Sequence, residues 1–94
     1  MKLPNQLKLR ELQLLVRAAL HPTNQKILVY LDNKPGTIVT DLYKTLKLEQ
    51  SVCSQFLAQL RRSDLVTTER EGKNIRYFVN GGTLDALKDI LTIV

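Results

Sequence analysis

Residues 48 to 66 read LEQSVCSQFLAQLRRSDLV, and the spacing of the apolar residues in this stretch decides the fold. Val52, Cys53, Phe56, Leu57 and Leu60 fall on one arc of a helical wheel drawn over residues 49–63. Gln50, Ser51, Ser54, Gln55, Gln59, Arg61 and Arg62 occupy the remainder. An ordinary solvated face would be dominated by Glu and Lys. This one carries amide, hydroxyl and guanidinium groups, which can donate to and accept from the edges of bases.

Working outward, Lys34-Pro35-Gly36 is a turn, and Ile38, Val39, Leu42, Tyr43 and Leu46 follow Thr37 at the spacing of a short helix. With Lys47 and Leu48 as the connection, residues 37–63 form two helices joined by a tight turn. Beyond Ser63-Asp64, Leu65-Val66-Thr67-Thr68 and Ile75-Arg76-Tyr77-Phe78-Val79 are β-branched and aromatic, and Glu71-Gly72-Lys73-Asn74 supplies turn chemistry. Residues 65–79 are therefore expected to be a β-hairpin with a basic tip.

Upstream, residues 5–20 read as a helix whose apolar residues recur on nearly every side, too broadly for one small core. His21-Pro22-Thr23 breaks it. Thr23 is the expected N-cap of a second helix carrying Ile27, Leu28 and Leu31 and ending near Asn33. Downstream, Gly81-Gly82 precedes a last helix over 83–94 with Leu84, Leu87, Ile90, Leu91 and Val94 at helical spacing and Thr83 as its expected cap. The fold class is thus mostly α with a β-hairpin wing: a winged helix-turn-helix, five helices with the hairpin between helices 4 and 5, in one domain over residues 1–94.

Composition narrows the function. Fourteen Lys and Arg against nine Asp and Glu give a formal charge of +5, the sign suited to a phosphate-bearing partner. The single cysteine, Cys53, excludes an intrachain disulfide, and one His with one Cys cannot build a structural zinc site. No signal-like or membrane-length apolar run is present, so a reducing, cytoplasmic setting is expected. There is no glycine-rich phosphate loop and no nucleophile paired to a base, which argues against an enzyme.

Three stretches carry a family resemblance. His21-Pro22-Thr23, the run from Leu48 to Val66, and Arg70-Glu71-Gly72-Lys73-Asn74-Ile75-Arg76-Tyr77 resemble the ArsR/SmtB repressors. There the corresponding segments read approximately D-P-T-R, L-S-Q-S-T-V-S-R-H-L-x-x-L-R-x-A-G-L-V and R-x-G-R-x-x-x-Y. The resemblance implies a homodimer in which the first and last helices pack against their symmetry mates. Leu9, Leu12, Val16, Leu84, Leu87 and Leu91 are the expected interface residues, and the surplus apolar surface of helix 5–20 independently calls for such a partner. Two departures bear on sensing. The cysteine box that metal-sensing members carry is matched here by Gly36-Thr37-Ile38-Val39-Thr40-Asp41-Leu42, without thiolates, and the last helix offers only Asp85 and Asp89. No metal or other cofactor is expected, and the sequence is silent on any effector. The family histidine of the recognition helix is Phe56 here, and Asp64 stands where a small, glycine-like residue is usual.

The expected partner is double-stranded DNA, read at a near-palindromic operator by a dimeric repressor; a winged-helix dimer serving as a protein-protein scaffold without sequence-specific DNA binding is the alternative. Gln50, Ser51, Ser54 and Gln55 lie at the N-terminal end of the fourth helix, where side chains reach bases, and Gln59 follows on the same helix. Arg61 and Arg62 suit phosphate and equally suit the negative end of the helix dipole. Lys73, Asn74 and Arg76 mark the hairpin tip and second strand, although Glu69 and Glu71 offset part of that charge. Cys53 reads as a small core hydrophobe rather than a redox switch.

Overall fold

The computed structural model describes residues 9–93. Along the chain these form α1 (Leu9–Leu20), α2 (Pro22–Asn33), β1 (Thr37–Ile38), α3 (Val39–Leu46), α4 (Gln50–Arg62), β2 (Val66–Glu71), β3 (Asn74–Val79) and α5 (Gly81–Ile93). The hairpin follows α4 and precedes α5, the winged helix-turn-helix order expected from the sequence. Residues 5–8 of the expected first helix and Val94 lie outside the described residues, as do the side chains of Leu9 and Leu91.

The core is an apolar cluster drawn from most elements: Leu15 and Ala18 of α1, Ile27, Leu28 and Leu31 of α2, Leu42 of α3, Cys53, Leu57 and Leu60 of α4, Leu65, Val66, and Leu87 of α5. Cys53, Phe56, Leu57 and Leu60 of the arc read off the sequence of α4 face this cluster, which leaves Gln50, Ser51, Ser54 and Gln55 of the other arc exposed. Removing a central member such as Leu60, fully buried, would cost about 2–5 kcal/mol through lost transfer energy and the cavity left behind.

Three local features differ from the sequence expectation. Thr37 and Ile38, expected at the start of the third helix, form β1, which pairs antiparallel with β3 as Thr37↔Tyr77 and Ile38↔Arg76, making a sheet of order β1-β3-β2. The N-cap of α2 is His21, not Thr23: its Nδ1 accepts from the Thr23 backbone N–H at 3.1 Å, with Pro22 at the first helical position, where its missing N–H costs nothing. α5 starts at Gly81, two residues before the expected start at Thr83, and its capping contact comes from Asn80 rather than Thr83, since Asn80 Oδ1 accepts from the Thr83 N–H at 3.4 Å. In both cases the cap lies outside the helix it closes, two or three residues before the residue named from sequence, as an acceptor for the first free N–H groups must.

α4 ends in a paired closure. The Leu65 N–H donates to the Leu60 carbonyl at 2.9 Å and the Asp64 N–H to the Arg61 carbonyl at 3.0 Å, with Asp64 in the left-handed region at φ 61°. This Schellman arrangement reverses the chain sharply, so that β2 starts against the helix it follows. At the hairpin tip Gly72 has φ 61° while Lys73 does not share the positive φ, the pattern of a two-residue turn with glycine first.

Candidate nucleic-acid interface

The side chains expected to read DNA divide into three groups. Gln50, Ser51, Ser54 and Gln55 are all exposed on the first turns of α4, as two neighbouring i, i+4 rows, 50 with 54 and 51 with 55. The opposite side of the helix is held in the core by Cys53, Leu57 and Leu60, so this polar patch sits on a rigid support. Arg61 and Arg62 are exposed at its far end, in the last turn.

Lys73 and Asn74 are exposed at the hairpin tip. Arg70 folds back over the turn, its Nε 3.5 Å from the Gly72 carbonyl. Lys44 near the end of α3 and Lys47 in the turn before α4 are exposed as well. Neither stands out in sequence, because a lone lysine carries no pattern.

Gln59 and Arg76 are placed differently from the rest. Gln59 is half-buried, and its Oε1 accepts from Asn24 Nδ2 at 2.9 Å. The Arg76 guanidinium is engaged within the chain. Its Nε donates to Glu71 Oε2 at 2.8 Å, one terminal nitrogen to Glu71 Oε1 at 3.2 Å, and the other to the Gly36 carbonyl at 2.8 Å. Arg76 stands directly opposite Glu69 in the β2–β3 register, so the Glu71 contact runs diagonally toward the tip. The hydrogen bond from Arg76, followed by its charge, holds the Glu71 carboxyl below the ordinary carboxylate range. One guanidinium thus joins the wing to the turn before β1, and Gly36 (φ 81°) fits that turn beneath the Phe78 ring.

On the expected dimer face, Leu12 and Val16 of α1 are half-buried and line an open groove with Gln13, Arg17 and Leu20. Leu14 and Leu20 of that helix are exposed large apolar side chains, at 52% and 58%. Leu84 is half-buried, whereas Leu87 is 3% exposed and belongs to the core of its own chain. Cys53 is fully buried, and burial pushes its thiol pKa up, away from the reactive thiolate. Among the described residues no three His, Cys, Asp or Glu side chains come together as a metal-binding group.

No family model matches the chain. It is 32% identical over 73 residues to the HTH-type transcriptional regulator YgaV of Escherichia coli, covering 78% of this chain and 74% of that protein. It is 36% identical over 67 residues to the transcriptional activator HlyU of Vibrio cholerae, covering 71% of this chain and 60% of that protein. The chain belongs to the ArsR/SmtB family of winged helix-turn-helix transcriptional regulators. The solved structure of Vibrio cholerae HlyU superposes with a TM-score of 0.72 at 30% identity, covering 87% of this chain and 88% of that one. The transcriptional repressor PagR of Bacillus anthracis superposes with a TM-score of 0.72 at 29% identity, covering 88% and 94%. As an ArsR/SmtB member the chain has a regulatory, DNA-binding role. Among the described residues no helix of this regulator is long and apolar enough to cross a membrane.

Proposed function

We propose that this regulator binds a near-palindromic operator as a symmetric homodimer and represses by occupying the promoter. The observation that carries the reading is the exposed patch of Gln50, Ser51, Ser54 and Gln55 at the N-terminal end of α4, the end that meets base edges when such a helix enters the major groove. Glutamine can pair bidentately with adenine, and serine can serve base or phosphate. Arg61, Arg62, Lys73 and Asn74 are assigned to the sugar-phosphate backbone. Gln59, whose Oε1 already accepts from Asn24, and Arg76, whose guanidinium is engaged within the chain, support DNA binding by holding the helix and the wing in place. The dimer is assigned to the α1 groove of Leu12, Val16 and Leu20 together with Leu84 and the end of α5, and its two-fold axis sets two recognition helices about one turn of DNA apart.

Selection of bound sites from a random duplex pool at two salt concentrations tests this directly. An enriched palindrome whose binding weakens steeply with salt supports a dimeric, sequence-reading regulator. Weak binding without enrichment would point instead to a winged-helix dimer whose partner is a protein. Curated relatives include a protein named as an activator and, among solved structures, one named as a repressor. Transcription from a promoter bearing the selected site, with and without the protein, decides the direction.

A further inference from the structure

The corner between α1 and α2 grips the recognition helix at two points one turn apart. The His21 ring lies against Phe56, centroids 4.6 Å apart, and the Asn24 amide reaches Gln59. Asn24 is fully buried, and its two N–H groups leave in different directions. One donates at 2.9 Å to the Ala18 carbonyl, among the last of α1, which also takes the His21 N–H at 3.4 Å. The other donates to Gln59 Oε1 on α4. A single side chain therefore ties the end of α1 to the recognition helix.

Satisfying the end of α1 accounts for one of these two contacts and not for the arm that reaches α4. Asn24 occupies the buried stripe of α2 with Ile27, Leu28 and Leu31, where a leucine would pack without polar atoms. Its Oδ1 is buried and has no hydrogen-bond partner, a cost that folded proteins seldom leave uncompensated. What the amide provides and a leucine cannot is a directional link, with fixed distance and angle, between two helices.

We propose that Asn24 and Gln59 are a positioning pair that sets the orientation of α4 relative to α1, and through it the placement of the two recognition helices on the operator. This rests on the dimeric DNA-reading role assigned above, with α1 at the subunit seam. A half-site spacing fixed by the dimer is useful only if α4 is held at a set angle to the helix that makes the dimer. Gln59 then contributes to recognition through Asn24 and not by touching a base.

The test is a double-substitution cycle in the full chain with Asn24→Leu, Gln59→Met and both together. Three readouts are taken: melting temperature, affinity for the selected operator, and the angle of α4 to α1 from residual dipolar couplings of the free protein. Replacing both side chains by apolar groups of similar shape leaves neither amide unpaired, and the Ala18 carbonyl keeps the His21 N–H at 3.4 Å, so the double variant is expected to melt close to the wild type. Each single substitution is expected to weaken operator binding on the order of tenfold, and the double no more than either single, because both remove the same link. The α4 angle shifts or becomes averaged in all three. Additive losses would mean that Gln59 acts on DNA independently of Asn24. Losses that merely track melting temperature, or an unchanged α4 angle, would equally overturn the proposal. If the wild type selects no site, the DNA reading fails, and the dipolar couplings still decide whether the pair holds α4.

Discussion

A glutamine amide donates and accepts at once, and Gln55 presents its amide from an exposed position on a helix whose other side is locked in the core. Replacing it by alanine removes a directional contact, so Gln55→Ala is expected to lose about 1–3 kcal/mol of discrimination at one position of each half-site while leaving binding to unrelated duplex nearly intact. Lys73 carries a point charge at the wing tip, so Lys73→Ala is expected to weaken binding to all duplexes alike and to lower the salt slope by about one. Competition titrations against single-base operator variants at several salt concentrations separate the two, and equal, sequence-blind losses for both would argue against a reading helix. Asp64 is a purely structural case. It holds φ 61° at the closure of α4, a conformation that glycine adopts freely and that other residues adopt at a cost. Asp64→Gly should therefore raise stability by about 0.5–1 kcal/mol, read as a higher denaturant midpoint at unchanged slope. The outward arc of α4 was legible in sequence because a 3.6-residue period needs no knowledge of neighbours. Asn24 was not recognised, although its place on the stripe shared with Ile27, Leu28 and Leu31 was a signal: an amide on a buried stripe requires partners, and only the tertiary structure names them.

Elements show where local reading stops. The β2–β3 hairpin follows from β-branched strands flanking a glycine turn, both short-range signals. β1 has two residues and exists because β3 offers it an edge, so nothing within Thr37-Ile38 could announce it. The same limit applied to Arg76, which reads as a wing cation in sequence but in three dimensions spans Glu71 and the Gly36 carbonyl. That contact has a pH dependence with a definite sign. The Glu71 carboxyl is held below its ordinary value by the hydrogen bond and charge of Arg76. Its contribution is thus complete above the ordinary carboxylate range and is lost as pH falls through the lowered value. The pair is exposed, so global melting should barely respond. The local response is what matters: amide exchange at the hairpin tip should quicken on acidification in the wild type. In Glu71→Gln it should already be faster at neutral pH and show little further change. Identical pH profiles for the two proteins would mean that the ion pair does not brace the wing.

At the scale of the whole molecule, the charge of +5 and the outward polar face of α4 explain attraction to DNA, but one chain presents only one recognition helix. The surplus of apolar residues on the first helix was the sequence signal for a partner copy, and exposure sorts the residues of the proposed seam. Leu87 is spent within its own core at 3% exposure, while Leu20, not singled out for the interface from sequence, stands 58% exposed beside Leu12 and Val16. The two leucines therefore give opposite predictions. Leu87→Ala should destabilise the fold by about 2–5 kcal/mol, since it opens a cavity. Leu20→Glu removes little from the core of its own chain, so an isolated subunit should fold as before. In a seam built on the α1 groove, however, it would bury an unpaired carboxylate near its symmetry mate, which is strongly unfavourable. Sedimentation of Leu20→Glu is then expected to show a monomer at concentrations where the wild type is a dimer. Operator affinity should fall more than affinity for a single half-site, because the advantage of linking two recognition helices is lost. A Leu20→Glu protein that remains dimeric and binds the full operator as the wild type does would place the subunit seam elsewhere on the molecule, and with it the axis relating the two α4 helices.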